Sequence, residues 1–270
     1  MEIYIKLAAV SFILGSIFSI YKYLKRMNLG IITFDELLKS KVPFILYLRS
    51  FDDDSRGINL PVSPFNPLNI FIYSFEEIIS NNVKNSLLIT VGKPNEKIPE
   101  LGATRLYLQQ DNWKQCVSEL IHKANYIIIK PSRSDGFNWE LETILKEKLI
   151  NKIVIYNKLS NLHNSELNKY YYHKLKNKIF QLSGIEMLSF QDKKIFSYFN
   201  NELNHLYTNS LEVFNTLSLN DIKRISVFKQ KMNYNSPLTK IIQKTFKTIS
   251  FTLMLIFITC FLYMILDNIF

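Results

Sequence analysis

Three polar segments of this 270-residue chain carry residue types that could do chemistry. The first is Arg49, Ser50, Phe51 and the acidic run Asp52, Asp53, Asp54. Its carboxylates suit a ribose or a cation and Arg49 suits a phosphate; the same residues also read as a solvated acidic turn with Arg49 paired to a neighbouring aspartate. The second runs from Gly92 to Arg105 (GKPNEKIPELGATR). Its two glycines and two prolines suit a shaped loop whose backbone amides approach a phosphate. The spacing matches neither a P-loop nor a GxGxxG fingerprint, and Lys93 and Arg105 are either phosphate ligands or surface charges. The third, SRSDGFNWELETIL, puts Glu140 in the expected first turn of a helix. A carboxylate there could contact a ribose or stabilise a developing oxocarbenium ion. It could equally complement the helix macrodipole, with Trp139 as packing. The histidines (His122, His163, His173, His205) and the cysteines (Cys116, Cys260) show no metal-ligand spacing, so no metal site is expected. No GxSxG or paired Cys/His motif occurs.

These segments need elements to position them. Residues 43–50 (PFILYLRS), 86–91 (SLLITV), 126–129 and 152–156 (KIVIY) are short apolar runs rich in branched and aromatic residues, and read as buried strands. Between them, helices are expected around 74–82, over 111–124 with Asp111 as N-cap, and over 139–149. The 111–124 pattern places Trp113, Val117, Leu120 and Ile121 on one face. Buried strands separated by helices imply an α/β fold with a parallel sheet covered on both faces. Ligands of such sheets bind at the carboxyl ends of the strands, where all three polar segments fall. Beyond residue 157 the expectation is a fifth strand at 184–190 and a helix over 192–207.

Composition bounds the rest. With 47% hydrophobic and 14% aromatic residues the chain is neither disordered nor low-complexity. The formal charge of +10 is unevenly spread. Residues 22–41 hold five basic and two acidic side chains and residues 221–247 hold seven and one, whereas 42–220 are close to balance. The basic clusters adjoin two apolar stretches, 3–24 and 248–266, the second of which is nineteen residues without a charge after Lys247. Both are expected to be transmembrane helices. The positive flanks place the intervening body in the cytoplasm, and nucleic acid is not an expected partner. The expected organisation is a first span at 3–24, a basic linker at 25–41, an α/β domain at 42–207, a basic helical connector at 208–247 and a second span at 248–266.

The order of these features resembles a divergent bacterial Toll/interleukin-1 receptor (TIR)-like domain. ILYLRSFDDD is similar to that family's first strand and following polar loop, and NWELETILKEK followed by KIVIY to its tryptophan-and-glutamate helix and next strand. The set LRSF, GKP, LGATR and WEL is also similar to that of membrane-anchored bacterial proteins. The resemblance covers about residues 42–160 and implies a flavodoxin-like sheet. It implies that Glu140 matches the glutamate serving NAD cleavage and that Gly92 to Arg105 lies where the family's BB loop would be. Catalytic members place a tryptophan four positions before that glutamate; here the position is Gly136 and Trp139 is adjacent instead. The implied function is binding of NAD or a related nucleotide, with cleavage of its nicotinamide glycosidic bond, in stress or phage defence at the bacterial inner membrane. Arg49, Ser50, Asp52, Gly92, Lys93, Arg105 and Trp139 would line the ligand, NAD would be substrate or ligand with no cofactor required, and the domain would self-associate. The alternative is a non-enzymatic signalling or nucleotide-sensing module, with the spans as a membrane-perturbing effector.

Overall fold

A computed structural model describes residues 12–13, 15–22, 31–49, 74–83, 85–93, 101–157, 165–211 and 217–233. Ser50, Asp52, Asp53, Asp54, most of the segment after Lys93 and the whole of the 248–266 stretch lie outside the described residues. Contacts divide the chain into two units. One comprises Met1–Leu29, Leu60–Tyr73 and Asn233–Phe270; its described N-terminal residues, 12–13 and 15–22, are helical, with the Ser16 hydroxyl donating to the Phe12 carbonyl at 2.9 Å. Among the described residues no helix is long and apolar enough to cross a membrane.

The other unit, Gly30–Asn59 and Ser74–Met232, is built on an eight-stranded sheet. In chain order its elements are β1 (Ile31–Ile32), α1 (Phe34–Ser40), β2 (Phe44–Leu48), α2 (Phe75–Asn82), β3 (Leu87–Val91), β4 (Thr104–Leu106), α3 (Trp113–Lys123), β5 (Tyr126–Ile129), α4 (Asp135–Lys146), β6 (Ile153–Tyr156), α5 (Ser165–Ser183), β7 (Phe196–Phe199), β8 (His205–Thr208) and α6 (Leu219–Asn233). The sheet order is β1-β4-β3-β2-β5-β6-β7-β8. The five pairings from β1 to β6 are parallel, and β6/β7 and β7/β8 are antiparallel. The expected α/β class with a mainly parallel sheet is what the chain forms.

The central strands FILYL, YIII and IVIY are apolar throughout because both faces are covered. Side chains alternate between two cores. Phe44, Leu46 and Leu48 of β2 pack with Leu37, Val117, Leu120, Ile121, Phe137, Leu141, Tyr172 and Ile225 of the helices on one face. Ile45 and Tyr47 pack with Ile79 and Val83 from the α2 region on the other. Capping is written locally. Thr33 with Glu36 and Ser74 with Glu77 form capping boxes at α1 and α2, and Ser134 accepts from the Phe137 amide at α4.

Several expectations need correction. Helix α4 begins at Asp135 rather than Trp139, because Ser134 caps it, so Glu140 sits in its second turn and Asp135 takes the dipole-complementing position. Asp111 lies in a 3-10 turn, and α3 has no side-chain cap. Residues 184–190 are irregular, and 192–207 are not helical but hold the β7–β8 hairpin. There Asn200 Oδ1 accepts from the Glu202 and Asn204 amides at 3.0 and 2.8 Å, closing the turn. The long helix α5 was not anticipated. The unit also outruns the expected 42–207 domain at both ends: β1 extends the sheet, and Leu37 of α1 and Ile225 of α6 are core residues.

Candidate functional site

Strand order decides where a site can form. The chain steps from β2 to β3 on one side and returns to β5 on the other, so β3-β2-β5-β6 follows the doubly wound pattern with its reversal between β2 and β5. Loops leaving the carboxyl ends there diverge and open a crevice.

Arg49 follows β2 at this reversal. Its Nη1 lies 3.3 Å from Oε1 of Glu76, in the first turn of α2, and Nη1 of Arg105, in β4, lies 2.5 Å from Oε2 of the same carboxylate. The Arg105 side chain is 0% exposed, and those of Arg49 and Glu76 are 5% and 3% exposed. Two guanidiniums thus share one buried carboxylate, an arrangement whose attraction must offset a large desolvation cost. The neighbouring backbone is shaped to admit it. Ser74 Oγ donates to the Leu101 carbonyl at 2.8 Å, and Gly102, at φ +116°, lets its chain run so close to α2 that a Cβ would stand 2.3 Å from Glu76 backbone atoms.

The other predicted residues are dispersed around this group. Arg105 is not in a loop but in the middle of a parallel strand, paired with Thr90 and Ile31; in this conformation no solvent-borne ligand reaches it. Gly92 donates its amide to the Leu106 carbonyl at 2.9 Å and lies under the Tyr107 ring, with no space for a Cβ. Its smallness therefore serves packing. Lys93 is exposed. Trp139 packs edge-on against Trp113 at 5.1 Å between ring centres, with the Lys114 ammonium 5.6 Å from its ring.

Glu140 has a different environment. It is half-buried, its Oε2 is out of solvent, and among the described residues that oxygen has no hydrogen-bond partner. Burial pushes its carboxyl up to about 8, so at neutral pH it is mainly protonated. Its helix packs Phe137, Leu141 and Ile144 into the first core, whereas Arg49 and Arg105 continue the alternation of the second. The structure therefore places Glu140 and the arginine group on opposite faces of the sheet.

Glu76 was missed by sequence reasoning. In SFEEII it is one of two adjacent glutamates at a helix start; Glu77 caps Ser74, and only the path of β4 shows that Glu76 turns inward. Among the described residues no group of three or more His, Cys, Asp or Glu side chains could hold a metal ion. No protein-family model, curated protein or solved structure matches this chain.

Proposed function

We propose that this chain is a membrane-anchored, TIR-like α/β domain that binds a nucleotide of the NAD class at the carboxyl edge of its sheet and cleaves the nicotinamide glycosidic bond. The observation that carries the reading is the desolvated, unpartnered carboxyl of Glu140 on the helix that follows β5. A buried ionisable group without a partner is costly to keep and marks a candidate site. A cationic nicotinamide ring beside it would favour the ionised form and turn a neutral acid into the anion that an oxocarbenium ion needs. In that step the bond from the ribose C1′ to the ring nitrogen breaks, its electron pair leaves with nicotinamide, and water adds at C1′ and gives up a proton. The two apolar segments with basic flanks support an inner-membrane anchor with the domain in the cytoplasm.

The test is nicotinamide release by the full chain, beside Glu140→Gln. Release by the wild type that disappears in the variant supports the mechanism; undiminished release in the variant removes Glu140 from it. One observation favours a second, non-enzymatic reading, in which the domain senses a nucleotide and recruits partners. Glu140 and the arginine group lie on opposite sheet faces, and the carboxyl is neutral when no cation faces it. That reading predicts saturable NAD binding with no nicotinamide released.

A further inference from the structure

Strand register puts three side chains side by side at the reversal point. Leu48 of β2 pairs with Ile129 of β5, and Ile129 with Ile155 of β6. One position further along, Arg49, Lys130 and Tyr156 stand next to one another on neighbouring strands, spaced by about 5 Å. All three belong to the face of Tyr47, Ile128 and Val154. Contacts with the start of α2 confirm the convergence. The Lys130 ammonium is 6.0 Å from the Phe75 ring, the Tyr156 ring 3.9 Å from it, and Arg49 is paired with the adjacent Glu76. Two cations thus lie on the two strands that flank the crevice. Next to them the Tyr156 hydroxyl makes no hydrogen bond among the described residues, and Lys130 is partly exposed.

We infer that Lys130 and Tyr156, with Arg49 behind them, form the anchor for the phosphate groups of the ligand. The inference rests on the nucleotide reading above and refines it, since it assigns phosphate binding to Lys130 and Tyr156 and leaves Arg105 a positioning role. A phosphate entering from the carboxyl edge accepts from the Lys130 ammonium and the Tyr156 hydroxyl. Glu76 holds the Arg49 guanidinium in place behind the site. Burial pushes the Tyr156 phenol up to about 12, which keeps its proton available for donation.

The experiment is calorimetric titration of the full chain in detergent micelles with NAD, ADP-ribose and inorganic pyrophosphate. It compares wild type with Lys130→Met, Lys130→Arg and Tyr156→Phe, with folding checked by circular dichroism. Lys130→Met is expected to weaken ADP-ribose binding by about tenfold or more, Lys130→Arg to retain most of it, and Tyr156→Phe to weaken it by about threefold. Folded Lys130→Met and Tyr156→Phe proteins that bind ADP-ribose as tightly as wild type overturn the inference and leave the nucleotide reading standing. If wild type binds pyrophosphate but neither nucleotide, and Lys130→Met abolishes this, the phosphate anchor stands and the NAD reading falls. Wild type that binds none of the three overturns both.

Discussion

Glu140 has a thermodynamic signature that can be measured without any substrate. Its carboxyl titrates at about 8 when folded against 4.5 in its ordinary state. The native state therefore holds its proton where the unfolded chain releases it. Its contribution is fully favourable below pH 4.5 and is lost as pH rises from there through 8. Glu140→Gln should accordingly raise stability at pH 7 by roughly 1 to 3 kcal/mol and leave it nearly unchanged at pH 4. Urea unfolding at the two pH values checks this, and equal effects at both would mean that the carboxyl is not desolvated. Gly102 offers the opposite case. A methyl group there meets Glu76 backbone atoms at 2.3 Å in a positive-φ conformation, so Gly102→Ala should cost on the order of 2 to 4 kcal/mol through overpacking and strain. Chemical denaturation reads this directly, and a loss below 1 kcal/mol would show that α2 simply moves aside.

Between elements, the shared carboxylate of Glu76 joins α2, β2 and β4. Glu76→Gln removes the buried negative charge that both arginines share, so it should destabilise by about 3 to 5 kcal/mol, more than Lys93→Ala at an exposed position after β3. Thermal unfolding of the two variants compares them. The β7–β8 hairpin has its own pH dependence. His205 lies beside the Tyr172, Phe199 and Tyr207 rings, with its Nδ1 accepting from the Leu188 amide at 3.3 Å. Burial, and then Lys176, push its imidazole down to about 4 from 6.5. The unfolded chain therefore takes up a proton first on acidification. The hairpin's contribution is complete above pH 6.5 and falls, by roughly 3 kcal/mol, as pH drops through about 4. An imidazole resonance of His205 that titrates near 6.5 in the folded protein would contradict this.

At the scale of the molecule, the sheet unit extends from Gly30 to Met232, with Leu60–Tyr73 assigned to the other unit. A fragment limited to residues 42–207 lacks the sheet-edge strand β1 and the core side chains Leu37 and Ile225. It should lose cooperative unfolding, whereas residues 30–233 should keep it; urea titration followed by tryptophan fluorescence distinguishes them. The basic residues outside the balanced 42–220 body lie in the flanking stretches, among them Lys229, whose ammonium donates to the Ser86 carbonyl at 2.7 Å. Some of that charge therefore closes the fold rather than facing a membrane.

Local chemistry alone determined the parallel strands 44–48, 87–91, 126–129 and 153–156, because strands buried on both faces must be apolar throughout and cannot be mistaken for amphipathic ones. It also determined α3, whose buried face is the predicted one. The hairpin was legible in principle, as FSYF and HLYT separated by an asparagine-rich turn, but tyrosine and phenylalanine at mixed spacing also fit a helix. Only the tertiary structure decided which charges meet. Glu76, Arg49 and Arg105 are 27 and 29 positions from one another across the carboxylate, and ion pairs at such separation leave no periodic trace in a sequence. It also decided that Lys130 and Tyr156 stand beside Arg49, since register between strands is set by the packing of both faces at once and not by any one strand.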